Sequence, residues 1–278
     1  MTDLPTLQDV AYWAIMDIKD STALITGANG GLGEAIATAL SQAGARLVLT
    51  GRRADALQPI ADKLGAKMII ADLSNREEVA RIAREAGAID LLVANAALPA
   101  TGYFPGLEES FIDRTLDVNL RVPIVMAREF VGPMLERKRG HLVFISSIAG
   151  KVAAVGSSMY SASKFGMRGF ALSLREDLRG SGVSVSTIFP GFIRDAGMFA
   201  KTKVKLPGPV GTKTPQDVAA AVLRAVRHDV AEIDVAAADQ KFGAFLAALS
   251  PTLLAAITRT FGDTEVARQI VATQKDVR

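Results

Sequence analysis

A tyrosine and a lysine stand four positions apart in the stretch SSMYSASKFG, at Tyr160 and Lys164. On a helix this spacing puts both side chains on one face, a turn apart. A free phenol has a pKa of about 10 and is a poor base at neutral pH. A nearby ammonium favours the phenolate and lowers that pKa, so the pair can act as a general acid and base near working pH. Taken alone, the spacing is common on surface helices. It gains weight only if something upstream binds a nucleotide.

The stretch TALITGANGGLGEAIATAL supplies that. An apolar strand pattern precedes it and a helical pattern follows. Gly27, Gly31 and Gly33 let the backbone turn tightly and approach a pyrophosphate, which the helix N-terminus then faces with free N–H groups. The second strand ends in TGRRAD. A dinucleotide fold that prefers NAD usually carries an acid there, for the ribose 2′-hydroxyl. This chain has Gly51, followed by Arg52 and Arg53. A guanidinium can grip a 2′-phosphate bidentately, so NADP(H) is expected over NAD(H), with NAD(H) still open.

Elements must hold these groups in place. Residues 21–26, 45–50, 66–71, 90–95, 141–146, 183–189 and 231–236 read as short buried strands. Helical patterns lie between them at 31–43, 54–64, 76–86, 107–136 (two helices), 158–179 and 215–227. In the last, Thr214 is placed to cap, Pro215 suits the first turn, and Asp217 suits the positive helix end. The alternation predicts one α/β domain, a doubly wound parallel sheet of Rossmann type with helices on both faces. The domain is expected over 21–237, after an extension at 1–20 that carries Trp13. A helical tail follows over 238–278, where Phe242, Phe245, Leu249, Leu253 and Ile257 fall near helical spacing. The Gly-, Pro- and Lys-rich segment 191–214 follows a strand at the ligand-binding edge and reads as a lid.

With these pieces in order, the chain resembles the short-chain dehydrogenase/reductases. The shared motifs are TGANGGLG, ADL at 71–73, ANAA at 94–97, DVNL at 117–120, SSIAG at 146–150, YSASK at 160–164 and PG at 190–191. The resemblance implies hydride transfer between a nicotinamide and a ketone, aldehyde or alcohol. It makes Tyr160 the proton donor or acceptor, and Lys164 the group that lowers its pKa and holds the nicotinamide ribose. It gives Ser147 the substrate oxygen, and Asn119 a water that relays protons to Lys164. It puts Asp72 on the adenine and Asn95 along the cofactor groove. Asn29, Leu32, Leu73, Ala96, Pro190, Gly191 and Ile193 would complete the cofactor site. The chain departs from the family pattern in three places: Ala94-Asn95-Ala96-Ala97 stands for the usual N-N-A-G with Ala97 replacing the glycine, Asp195 stands where a threonine usually contacts the nicotinamide, and the extension of about 20 residues and the tail past Val235 exceed the family's minimum. The family usually forms homodimers or homotetramers through the long helices around 107–136 and 158–179. Two other readings share the scaffold: a non-catalytic nucleotide sensor, and an epimerase or dehydratase that recycles its cofactor. Ser147, Tyr160, Lys164 and Asn119 all being present argues against a sensor, which has no need of them.

Composition narrows the field. The chain of 278 residues is 49% hydrophobic, which supports a sizeable core. A net charge of +3 with interspersed signs gives no nucleic-acid stripe. There is no cysteine, hence no disulfide and no thiolate chemistry. No apolar run reaches the roughly 18 residues of a membrane helix, and no basic start precedes an apolar run as in a signal peptide. A cytoplasmic location is expected. The two histidines, His141 and His228, are expected at the surface rather than on a metal, and no metal site is expected. Lys151 is expected to be solvated, Ser146 to finish a strand, Ser157 and Ser158 to cap a helix, and Ser161 and Ser163 to pack. Phe192, Met198 and Phe199 in the lid point to a hydrophobic substrate.

Overall fold

The computed structural model describes residues 16–202, 211–261 and 264–273. Its strands are β1 (Thr22–Thr26), β2 (Arg46–Gly51), β3 (Lys67–Ile70), β4 (Leu91–Ala94), β5 (Gly140–Ile145), β6 (Val183–Pro190) and β7 (Glu232–Val235). All neighbours pair in parallel, in the order β3-β2-β1-β4-β5-β6-β7. The order reverses between β1 and β4, so a crevice opens at their carboxyl ends.

The strands are apolar on both faces because both are covered. Ile25 and Val93 point to a core layer with α1 (Gly31–Gln42), α2 (Ala54–Leu64) and α8 (Pro215–His228). Leu24 and Leu92 point to the other, with α3 (Arg76–Ala86), α5 (Val122–Glu136) and α6 (Ser158–Asp177). The expected three-layer Rossmann-type architecture is what forms. Helix α8 starts as its sequence requires: Asp217 N–H donates to Thr214 Oγ1, and Thr214 N–H donates back to the Asp217 carboxylate.

The stretch 107–136 is two helices, α4 (Glu109–Leu116) and α5, joined by a π-helical turn at Asp117–Arg121. Such wide turns recur at functional sites, and this one carries Asn119. The segment after β6 is more than a loop. Ile193 bridges to Lys213, and Gly197–Thr202 forms a helix, α7. The tail is helical: α9 (Ala238–Leu249), α10 (Pro251–Phe261) and α11 (Thr264–Thr273). Of the N-terminal extension, Met16 and Ile18 are buried in the core, while Trp13 lies outside the described residues. No described helix is long and apolar enough to cross a membrane.

One histidine departs from its expected place. His228 is exposed at the end of α8, as expected. His141 is fully buried in β5, paired opposite Leu91 of β4 and Ser184 of β6. A polar strand start is no surface when the strand is central. Ser186 spends its hydroxyl hydrogen on Val230 O at 2.7 Å, so the contact of 2.8 Å between His141 Nε2 and Ser186 Oγ has the imidazole donating. Burial, helped by the nearby Arg175 charge, pushes the His141 pKa down to about 3, so the ring stays neutral.

Candidate active site

Gly27 adopts a φ of +64°, open to glycine at little cost. A Cβ on Gly33 would collide with the Gly27 carbonyl and Ala28 Cα, which explains why this helix start tolerates no side chain there. The turn is tied to β4. Asn95 Nδ2 donates to Thr26 O at 2.9 Å and Gly27 O at 3.2 Å, and the Asn95 and Ala96 N–H groups both donate to Thr26 Oγ1. Gly51 is small for a reason too: a Cβ there would sit 2.6 Å from Asn29 Oδ1.

Above these strand ends lies a cleft of about 660 Å³. Gly27, Asn29, Gly31, Leu32, Arg52, Arg53, Asp72, Leu73, Asn95 and Ala96 line it. Every cofactor residue expected in this half lines the cleft except Gly33, which shapes the turn from inside. Arg114 of α4 also lines it. Arg114 carries no motif, and nothing in the helix before DVNL marks which of its residues lines the cleft.

A second cavity of about 460 Å³ continues from the first, sharing Leu32, Asn95, Ala97, Gly197 and Met198 with it. It holds Ser147, Tyr160 and Lys164, together with Pro190, Gly191 and Ile193. The fold thus brings together residues from the ends of β5 and β6 and from the first turns of α6. Lys164, 2% exposed, donates from Nζ to Ile145 O at 3.0 Å and lies 5.7 Å from the Tyr160 ring centre. Ser147 Oγ accepts from Ala149 N–H at 3.2 Å and donates to Pro190 O at 3.4 Å. Asn119 does not reach this cavity's wall directly. Its Oδ1 accepts from Leu98 N–H at 2.7 Å and its Nδ2 donates to Leu98 O at 3.0 Å, bracing the segment after β4.

The neighbouring serines divide as follows. Ser146 follows β5 and donates to Lys164 O, and Ser163 donates to Tyr160 O. Ser161 Oγ is buried with no hydrogen-bond partner among the described residues. Ser157 occupies the cap position of α6, but its side chain makes no capping bond. Lys151 is not solvated. Its side chain is 13% exposed, with Nζ 2.7 Å from Asp234 Oδ1, 3.2 Å from Glu232 Oε2, and 4.0 Å from the Phe189 ring centre. Arg168 also binds Glu232, at 2.7 and 3.0 Å. The parallel pairing of β6 with β7 brings both acids to Lys151, the residue after the turn Ile148–Gly150, a contact remote in sequence. Asp195 adopts a φ of +69° and is exposed, 3.4 Å from Arg194, lining neither cavity.

A family model for short chain dehydrogenase matches residues 21–206. The chain belongs to the short-chain dehydrogenase family. Among curated relatives of this oxidoreductase family, nodulation protein G of a Rhizobium species is 37% identical over 188 residues, covering 66% of this chain and 77% of that protein. Ketoacyl reductase HetN of a Nostoc species is 32% identical over 259 residues, covering 88% of this chain and 90% of that one. A metagenomic short-chain oxidoreductase solved in complex with NADP superposes with a TM-score of 0.67 at 31% identity, over 79% of this chain and 98% of that one. A short-chain dehydrogenase from Streptomyces avermitilis gives 0.75 at 25% identity, over 87% and 98%.

The acid–base balance of this family member differs from the one expected of the Tyr–Lys pair. Burial raises the Tyr160 pKa above 10.0, and the Ser147 hydrogen bond opposes this only in part. Burial lowers Lys164 to about 8. The opposing pull comes from Ser147, while Lys164 Nζ donates to the Ile145 carbonyl. Tyr160 is therefore a neutral phenol at neutral pH, the form that gives a proton. In the cofactor cleft, burial pushes Asp72 up, yet Ser74 hydrogen bonds and the charges of Arg52 and Arg114 hold its carboxyl below the usual value. Among the described residues there is no cluster of three metal-ligating side chains.

Proposed function

We propose that the protein is an NADP(H)-dependent oxidoreductase that interconverts a ketone or aldehyde with an alcohol on a hydrophobic substrate. The observation that carries this reading is the continuity of the two cavities, which puts Ser147 and Tyr160 next to a glycine-walled cleft. A dinucleotide is supported by the Gly33 turn, which a side chain would destroy, and NADP(H) by the two guanidinium groups of Arg52 and Arg53 in the cleft lining after β2. NADP(H), when bound, supplies or takes up the hydride at the substrate carbon.

This chain's residues do the rest. Ser147 donates a hydrogen bond to the substrate oxygen and fixes its position. Tyr160 gives that oxygen a proton in reduction and takes it back in oxidation. Lys164, easily titrated at about 8, stands beside Tyr160 to share the proton's return. Asn119 holds Leu98 and so the wall that both cavities share, with its second amide hydrogen free for a relaying water. Nothing in the second cavity's described lining is charged except Lys164, which suits an uncharged apolar substrate. Exposed Phe165 and Leu172 on α6 and Leu135 on α5 support assembly of copies through these helices; sedimentation of the purified protein checks it.

The test is oxidation of NADPH and NADH with a broad panel of ketones and aldehydes. Ketone-dependent NADPH oxidation at a higher kcat/KM than with NADH supports the proposal. A clear NADH preference overturns the cofactor assignment. Substrate conversion without net NADP⁺ points instead to an epimerase or dehydratase, and no conversion with tight NADPH binding points to a sensor.

A further inference from the structure

The substrate cavity has a wall that the family match does not reach. Val271 of α11 lines it and is 4% exposed, although α11 lies well beyond residue 206. Val271 Cγ2 fills the space where a side chain on Gly156 would go, and Gly156 itself has a φ of +71°. The loop holding Gly156 is fixed from the other side, where Gly102 N–H donates to Gly156 O at 2.7 Å.

The tail also grips the lid. Helix α11 packs against α7, which carries Met198 and Phe199 of the same cavity. Gln240 of α9 accepts from Phe192 N–H at 3.1 Å and donates to Gly211 O at 2.7 Å, clasping both ends of the lid segment. Ser147 and Tyr160 are polar groups of the cavity, while Val155, 60% exposed, and Val271 are apolar members of its lining.

We propose that Val271 is a specificity-determining residue: through it the C-terminal helix limits how long an apolar chain the substrate can carry beside its carbonyl. The idea rests on the carbonyl-reductase reading above. A carbonyl held by Ser147 and Tyr160 leaves its chain to run out between Val155, Phe199 and Val271. Filling or emptying the place of Val271 therefore changes the fit of the chain and leaves the reacting end alone. One methylene too many or too few in such a pocket is worth about tenfold or more in discrimination.

The experiment is steady-state kinetics with NADPH and a homologous series of straight-chain methyl ketones, for the full-length protein and for Val271→Phe and Val271→Ala. Val271→Phe should raise KM for the longest ketones by about tenfold more than for the shortest. Val271→Ala should shift the optimum to longer chains. An identical chain-length profile in all three proteins overturns the inference. If the parent protein reduces no ketone, the carbonyl-reductase reading fails, and hydrogen exchange decides the wall by itself. Val271→Gly should then speed exchange of the amides at 152–157, and unchanged protection there would overturn the proposed wall.

Discussion

The two halves of the active-site cleft are built differently. The cofactor half comes from short segments at neighbouring strand ends: the glycine turn after β1, Arg52 and Arg53 after β2, Asp72 after β3 and Asn95 after β4. Its decisive groups are backbone atoms and missing side chains. The substrate half draws on residues as distant as Ala100, Val152, Phe199 and Val271. Its shape depends on the stretch after β6 and on the tail, whose Gln240 bonds both Phe192 and Gly211. The contrast teaches that local backbone geometry is enough to shape the first cleft, whereas the second cavity is shaped by contacts that only the finished fold creates.

This division can be broken by experiment. Among changes in cofactor binding, the largest is expected at Gly33. Gly33→Ala forces backbone atoms apart in the turn and should weaken NADPH binding roughly a hundredfold, read by titration calorimetry. Binding as tight as the parent's would show that the turn is not the anchor. Arg52→Ala should weaken NADPH by about tenfold and NADH hardly at all. Equal losses with both cofactors would remove the 2′-phosphate from the account.

His141 sharpens the comparison from beneath, since it serves neither half. Its folded pKa of about 3 lies below the ordinary 6.5, so the unfolded chain binds the extra proton between those values. Stability is therefore full above pH 6.5 and falls as the pH drops through this window, by up to about 1.4 kcal/mol per unit. Chemical denaturation across that range checks the slope, which His141→Asn should flatten. The smallest effect is expected at Lys151. Lys151→Met strips Glu232 and Asp234 of a cation and should cost about 1–2 kcal/mol of stability. It should lower kcat a few-fold through the Ile148–Gly150 turn, with NADPH affinity unchanged. A loss of NADPH affinity there would blur the two halves.

The sheet was legible because its seven strands announce themselves as apolar runs, and helices α2 and α3 start and end where their patterns do. The cofactor half was legible for the same local reason. What stayed hidden was the work of neighbours remote in sequence. His141 looks like a polar strand start until β4 and β6 enclose it. Lys151 looks solvated until β7 brings Glu232 and Asp234 beside it. Tyr160 looks like a depressed phenol until its burial is seen. Val271 carries no motif at all; only the path of α9 and α10 delivers α11 to the cavity.

The central claim is that Tyr160 supplies the proton at the junction of the two halves. Single-turnover reduction of a ketone by pre-bound NADPH, comparing the parent with Tyr160→Phe, tests it most directly. The account predicts a rate lower by about a thousandfold or more with NADPH affinity unaltered. A Tyr160→Phe protein that reduces the ketone at close to the parent rate would contradict it.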